Sequence, residues 1–219
     1  MMFEKSVLLA VSFIVASAFQ ATEERILKYE KDIAAIENRL QKTPPGKDAI
    51  FFAGSSTIRK WNVAQSFPGM NVVNVGFGGS QTRDVTYYAP RILLPFSPKT
   101  IVFYGGDNDI NAKRTSKQVF EDFKAFVELI HKKNPETKII YLGIKPSIKR
   151  ESQYEIQKEA NKMVSEYCSK NPKLAFLDTV PLTVDSNGKP RPELFEEDGL
   201  HLNDKGYAIW SKPIQALLK

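Results

Sequence analysis

Five short apolar runs, separated by helical patterns and closed by Gly, Asn or Asp, constrain this chain more than any other feature. They are Ile50-Phe51-Phe52-Ala53, Val72-Val73-Asn74-Val75, Ile101-Val102-Phe103-Tyr104, Ile139-Ile140-Tyr141-Leu142 and Leu174-Ala175-Phe176-Leu177. Short runs rich in branched and aromatic side chains read as strands buried on both faces. Between them, residues 116–133 repeat Val119, Phe120, Phe123, Phe126, Val127 and Ile130 at helical spacing. Residues 151–170 and 204–218 are further helices, the second capped by Asn203, and residues 22–41 form an amphipathic helix ended by Thr43-Pro44-Pro45-Gly46. Alternation of this kind specifies an α/β fold: a three-layer α/β/α sandwich on a central parallel sheet of about five strands. No repeat or long linker interrupts it, so residues 22–219 read as a single domain.

In open parallel sheets, ligands bind beyond the carboxyl ends of the strands. Gly54-Ser55-Ser56 follows the first strand, Gly76-Phe77-Gly78-Gly79 the second and Gly105-Gly106-Asp107-Asn108-Asp109 the third. The three polar segments therefore converge on one edge.

Residues 1–21 have the pattern of an export signal. A short charged start precedes a nearly all-apolar run over residues 6–19, and Ala16-Ser17-Ala18 supplies small residues at cleavage spacing. That run falls short of the ~20 residues a spanning helix needs, so no stable membrane insertion is expected and the product is periplasmic or secreted. Cys168 is the single cysteine, which excludes an internal disulfide; it falls on an apolar helical stripe and reads as a packed side chain. The net charge of +6, from 31 basic and 25 acidic residues, is interleaved along helices as on a solvated surface. No zinc-finger spacing or aromatic–basic stripe points to nucleic acid.

Only two histidines are present. His131 lies in a basic run before Asn134-Pro135 and reads as a helix end, where positive charge suits the dipole. His201 follows Asp198 by three residues, the acid–base half of a nucleophilic triad. Gly54-Ser55-Ser56 is ordinary loop chemistry by composition, but its place at a strand end ahead of a helical stretch suits a nucleophile. Gly78-Gly79 is either a tight turn or a bare N–H for an oxyanion. Asn108 is either a turn residue or a side-chain oxyanion donor. Arg83, Asp84 and Asp109 stand beside these segments as contacts for a polar alcohol or as solvated surface. Asp107-Asn108-Asp109-Ile110-Asn111 begins like a calcium loop, but Ala112 and Gln118 stand where that loop needs Gly and Glu. Gly76-Phe77-Gly78-Gly79-Ser80 lacks the third glycine of a dinucleotide site, and the Gly-x-Ser-x-Gly elbow is absent.

Taken in order, Gly54-Ser55-Ser56, Gly79, Gly106-Asp107-Asn108-Asp109 and Asp198-Gly199-Leu200-His201 resemble the four blocks of the SGNH hydrolases, the GDSL esterase/lipase family. The resemblance spans residues 48–218, with Ser55 where the family usually has Asp. It implies a flavodoxin-like hydrolase fold and a serine esterase without metal or organic cofactor. By carry-over, Ser56 is the nucleophile ahead of Ser55, Asp198 and His201 complete the triad, and the Ser56 amide, Gly79 and Asn108 form the oxyanion hole. The chain has no long apolar insertion to serve as a lipid lid. The expected substrates are therefore short-chain or acetyl esters, small molecules or acetylated polysaccharide. A lysophospholipase or thioesterase is the enzymatic alternative, and a non-catalytic carbohydrate-binding protein the alternative of another class.

Overall fold

All five expected strands form. In the computed structural model, which describes residues 24–218, β1 (Ile50–Gly54), β2 (Val72–Asn74), β3 (Thr100–Tyr104), β4 (Lys138–Leu142) and β5 (Leu174–Leu177) pair in parallel in the order β2-β1-β3-β4-β5. The export segment expected at residues 1–21 lies outside the described residues. The helices that position the site are α1 (Glu30–Lys42), α2 (Ser56–Arg59), α3 (Thr82–Ile92), α4 (Asp107–Asn111), α5 (Ser116–Lys133), α6 (Tyr154–Cys168) and α7 (Asp204–Leu218).

Strand side chains alternate between two cores, which is why the runs carry no polar alternation. Phe51, Ala53, Ile101, Phe103, Ile139 and Tyr141 join one cluster with buried residues of α1, α3, α5 and α6. Phe52, Val102, Tyr104, Ile140 and Leu142 join the other, with Trp61, Phe67 and the α7 residues Tyr207, Trp210 and Ile214. The second cluster is aromatic: Trp61 stacks on Tyr207 at 5.0 Å and Trp210 lies 5.7 Å from Tyr104. These contacts pin α7 to the sheet, and with it the loop that carries His201. As expected, Asn203 caps α7: its Oδ1 accepts the N–H groups of Lys205 (3.0 Å) and Gly206 (3.2 Å).

Helix boundaries differ from the sequence pattern where side chains override periodicity. In the described part of the pattern expected over 22–41, a single helical turn at residues 24–27 is followed by a break at Lys28-Tyr29 and then α1. The helix expected over 151–170 begins only at Tyr154, after a 3-10 stretch, Ile148–Gln153, in which Arg150 leaves helical geometry (φ −124°, ψ 29°). Helix α3 is not among the elements expected from the sequence, although Val85, Tyr88, Ala89 and Ile92 recur at helical spacing. β1 pairs with β2 on one side and β3 on the other, so the chain reverses direction across the sheet beside it. The loops after β1 and β3 part there and open a crevice at the carboxyl edge.

Candidate active site

Gly54 is required where β1 ends. Its φ is +138°, and a Cβ there would lie 2.0 Å from the Tyr104 carbonyl oxygen of the neighbouring strand. The chain then turns so that the Ser55 N–H donates to that oxygen at 3.1 Å, and Ser56 opens α2. Ser55 is buried at the N-cap. Ser56 meets the histidine, its Oγ lying 2.8 Å from His201 Nε2. On the far side of the ring, Nδ1 lies 2.5 Å from Asp198 Oδ2. A carboxylate only accepts, so Nδ1 carries the proton and donates it, which leaves the Nε2 lone pair to accept from the Ser56 hydroxyl. Serine, histidine and aspartate thus form one hydrogen-bonded chain between residues 145 positions apart.

The aspartate is fixed by its own loop. Asp198 Oδ1 accepts the N–H groups of Leu200 (2.9 Å) and His201 (3.0 Å), leaving Oδ2 for the ring. Partial burial would raise its pKa, but the His201 amide and ring and the Leu200 amide together hold the carboxyl well below the ordinary range. Two residues after β4 brace this loop: the Lys149 N–H donates to the Gly199 carbonyl at 3.0 Å, and Lys145 Nζ donates to the Leu200 carbonyl at 2.8 Å. Lys145 is fully buried, with its ammonium near the Tyr104 and Phe195 rings, and burial lowers its pKa.

Besides the Ser56 amide, the expected oxyanion donors are Gly79 and Asn108. Gly79 sits at φ +75°, a left-handed turn that a side chain would strain, and its carbonyl accepts from the Tyr29 hydroxyl at 2.9 Å. Among the described residues, neither the Ser56 nor the Gly79 N–H has a protein acceptor. Asn108 donates through Nδ2 to the Ser80 carbonyl at 3.0 Å, and its Oδ1 accepts from Arg150 Nη2 at 3.0 Å. A primary amide has two N–H groups, so one remains for a ligand. Amides that are free in this way, at a helix start and a strand-end turn, suit a developing negative charge.

The expectation that Asp84 and Asp109 contact a substrate alcohol or coat the surface is corrected. Both are fully buried. Asp84 pairs with Arg25 and accepts the Gln81 N–H at 2.8 Å. Asp109 accepts the N–H groups of Thr82 (3.1 Å) and Gly106 (3.1 Å), tying the loop after β2 to the loop after β3. Burial pushes the Asp109 carboxyl up to about 6, against the hydrogen bond from Thr82.

The remaining chemistry-bearing residues are structural. His131 ends α5, with its ring 3.0 Å from the Thr137 carbonyl. Cys168 is buried on α6, which pushes its thiol up to about 12. Among the described residues, Glu196, Asp198 and His201 could offer one atom each to a cation. Glu196 already pairs with Lys60 at 2.5 Å, and a cation there would take the carboxylate from His201. Sequence reasoning missed Tyr29, Lys145 and Arg150. Lys145 was findable, because Gly143-Ile144-Lys145 follows β4 at the same edge as the other three segments.

Comparisons with known proteins agree with this geometry. Residues 51–209 match the GDSL-like lipase/acylhydrolase family. The human platelet-activating factor acetylhydrolase IB subunit alpha2 is 31% identical over 179 residues, covering 77% of this chain and 75% of that protein. A solved chain from Streptococcus pneumonia superposes with a TM-score of 0.78 at 25% identity, over 93% of this chain and 99% of that one. An acetylxylan esterase from Geobacillus stearothermophilus shares the fold, with a TM-score of 0.64 at 15% identity over 79% and 94% of the two chains. With its parallel sheet and its serine and histidine blocks inside the matched span, the chain belongs to the GDSL-like lipase/acylhydrolase family and is a carboxylic ester hydrolase.

Proposed function

We propose that the protein hydrolyses short-chain or acetyl esters, carried by a small molecule or a polysaccharide, through an acyl-enzyme on Ser56. The observation that carries this reading is the hydrogen-bonded run from Ser56 Oγ through His201 to Asp198. Ser56 Oγ attacks the ester carbonyl as its proton passes to His201 Nε2, and Asp198 stabilises the imidazolium through Nδ1–H. The tetrahedral oxyanion is received by the Ser56 and Gly79 amides and the free N–H of Asn108. His201 returns the proton to the leaving alcohol oxygen as the C–O bond breaks. Water then attacks the acyl-serine with His201 again as base, releasing the acid and restoring the Ser56 hydroxyl.

Support for a small acyl group comes from the chain itself, which has no long apolar insertion to cover a lipid tail, and from the 31%-identical relative, which is named an acetylhydrolase. The export pattern over residues 1–21 supports the reading of a periplasmic or secreted enzyme, where such esters on polymers are accessible. The test is kcat/KM on p-nitrophenyl esters of increasing chain length, alongside acetate release from acetylated xylan. A maximum at acetate or butyrate supports the reading. A maximum at long acyl chains overturns it in favour of a lysophospholipase, and no turnover of any ester removes it.

A further inference from the structure

Asn108 is held by a residue that lies outside all four sequence blocks. Arg150, in the 3-10 stretch before α6, reaches across to the first turn of α4 and forks over two consecutive residues. Its Nη1 lies 2.7 Å from Asp107 Oδ1, and its Nη2 donates to Asn108 Oδ1 at 3.0 Å. The fork is largely dry: the Arg150 side chain is 11% exposed and that of Asp107 is 7%. Gln157 Nε2 completes the Asp107 shell at 3.5 Å.

We propose that Arg150 is a positioning residue that fixes the orientation of the Asn108 amide and strengthens its free N–H as an oxyanion donor. This rests on the reading of Asn108 as part of the oxyanion hole. Orientation follows from elementary inventory. A guanidinium only donates and the Ser80 carbonyl only accepts, so the amide has one satisfied arrangement, oxygen toward Arg150 and nitrogen toward Ser80. The flipped amide would set N–H against N–H and oxygen against oxygen. Asp107 matters because its carboxylate pairs with the guanidinium from the other side, an ion-pair contact and not a hydrogen bond, while the planar guanidinium reaches both residues as an ammonium cannot.

Strength follows from polarisation. A cation hydrogen-bonded to an amide oxygen draws electron density from its nitrogen, and hydrogen bonds in series reinforce one another in a low-dielectric site. The benefit grows as negative charge develops on the substrate oxygen, so it is larger in the transition state than in the bound ester. Such an interaction acts on kcat and leaves KM nearly unchanged.

The test is a double-mutant cycle on the purified full chain with p-nitrophenyl acetate, using Arg150→Met, Asn108→Ala and the pair. Arg150→Met should lower kcat on the order of 10–100-fold with KM little changed, because a misaimed donor loses most of its effect. In the Asn108→Ala background the same substitution should cost almost nothing further, which a merely structural role would not produce. Should Arg150→Met unfold the protein through the stranded Asp107, Arg150→Lys keeps a charge beside Asp107 while breaking the fork. Its kcat loss must likewise vanish in the Asn108→Ala background. Losses at 150 and 108 that multiply, or a full kcat in a folded Arg150 variant whose Asn108→Ala counterpart is impaired, overturn the proposal alone. A full kcat in Asn108→Ala overturns the oxyanion reading of Asn108 and this inference with it.

Discussion

Asp198→Asn separates chemistry from architecture, because the two oxygens of Asp198 do different work. Oδ1 accepts the Leu200 and His201 N–H groups and shapes the loop, while Oδ2 faces His201 Nδ1. In the variant, the remaining carbonyl oxygen keeps the two backbone bonds, and the NH2 is turned to the ring. An NH2 only donates, so Nδ1 must supply a lone pair and the ring proton moves to Nε2. That Nε2–H then donates to Ser56 Oγ and cannot take its proton. The expected loss is on the order of 10⁴ in kcat, about 5.5 kcal/mol of barrier. The assay is kcat and KM on p-nitrophenyl acetate, with a thermal melt of each protein under the same buffer. A variant within tenfold of the parent kcat, or one whose activity falls only in step with its folded fraction, refutes the argument.

The same substitution carries a pH signature with a definite sign. The Asp198 carboxyl titrates lower in the folded protein than the ordinary carboxylate value of about 3.9. Its contribution to stability is therefore present above about pH 4 and is lost as pH falls below that. Asp198→Asn has no such group, so the stability gap between parent and variant should be constant at neutral pH and narrow only in acid.

Ser56→Ala should lower kcat by several orders of magnitude and abolish fluorophosphonate labelling, while Ser55→Ala retains labelling; an adduct mapped to Ser55 reverses the assignment. Tyr29→Phe removes the hydroxyl bonded to the Gly79 carbonyl, at a cost of about 0.5–1.5 kcal/mol that should be read in kcat and in Tm. Unchanged values of both would show that the Gly79 turn needs no brace from Tyr29. Asp109 carries a carboxyl raised to about 6, so its favourable contribution is complete below about pH 4 and fades as pH rises to 6. The stability advantage of the parent over Asp109→Asn should shrink across that interval, measured by urea midpoints, and a constant gap would contradict the burial argument.

The sheet was legible because two-sided burial writes itself into the strands. Phe51 and Phe52 point to opposite cores, and both are wholly buried, so neither position tolerates a polar residue. Helix α3 was harder to read: Val85, Tyr88, Ala89 and Ile92 recur at helical spacing, but the residues around them obscure the stripe. Its run Thr82-Arg83-Asp84-Val85-Thr86-Tyr87-Tyr88-Ala89-Pro90-Arg91-Ile92 carries β-branched residues and an internal proline, all poor helix signals. Tertiary contacts override them: Val85, Tyr88, Ala89 and Ile92 are buried against the sheet, and Pro90 lies near the last turn, where few hydrogen bonds remain to be lost. Ser56, His201, Asp198, Gly79 and Asn108 were legible as local blocks at strand ends. Their supports were not, since Arg150 lies 42 residues from Asn108 and Tyr29 lies 50 from Gly79.

The carboxylates show why residue type alone could not sort the site. Asp84 and Asp109 stand in the first turns of α3 and α4 and Asp198 in a loop, and each accepts a backbone N–H that the turning chain leaves without a helix or strand partner. Up to that point the three are chemically alike, which is why Asp84 and Asp109 read as candidates for substrate contact. What separates them is the partner of the remaining acceptor capacity. Asp84 meets the Arg25 guanidinium, and Asp109 closes on the Thr82 and Gly106 amides. Asp198 alone among them meets an imidazole, whose far nitrogen lies on a serine hydroxyl. A loop carboxylate becomes part of a proton relay when one oxygen fixes its own turn and the other is left to face a base. In this chain the interval of three residues between Asp198 and His201 permits that division of labour, and the aromatic anchoring of α7 brings the pair to Ser56.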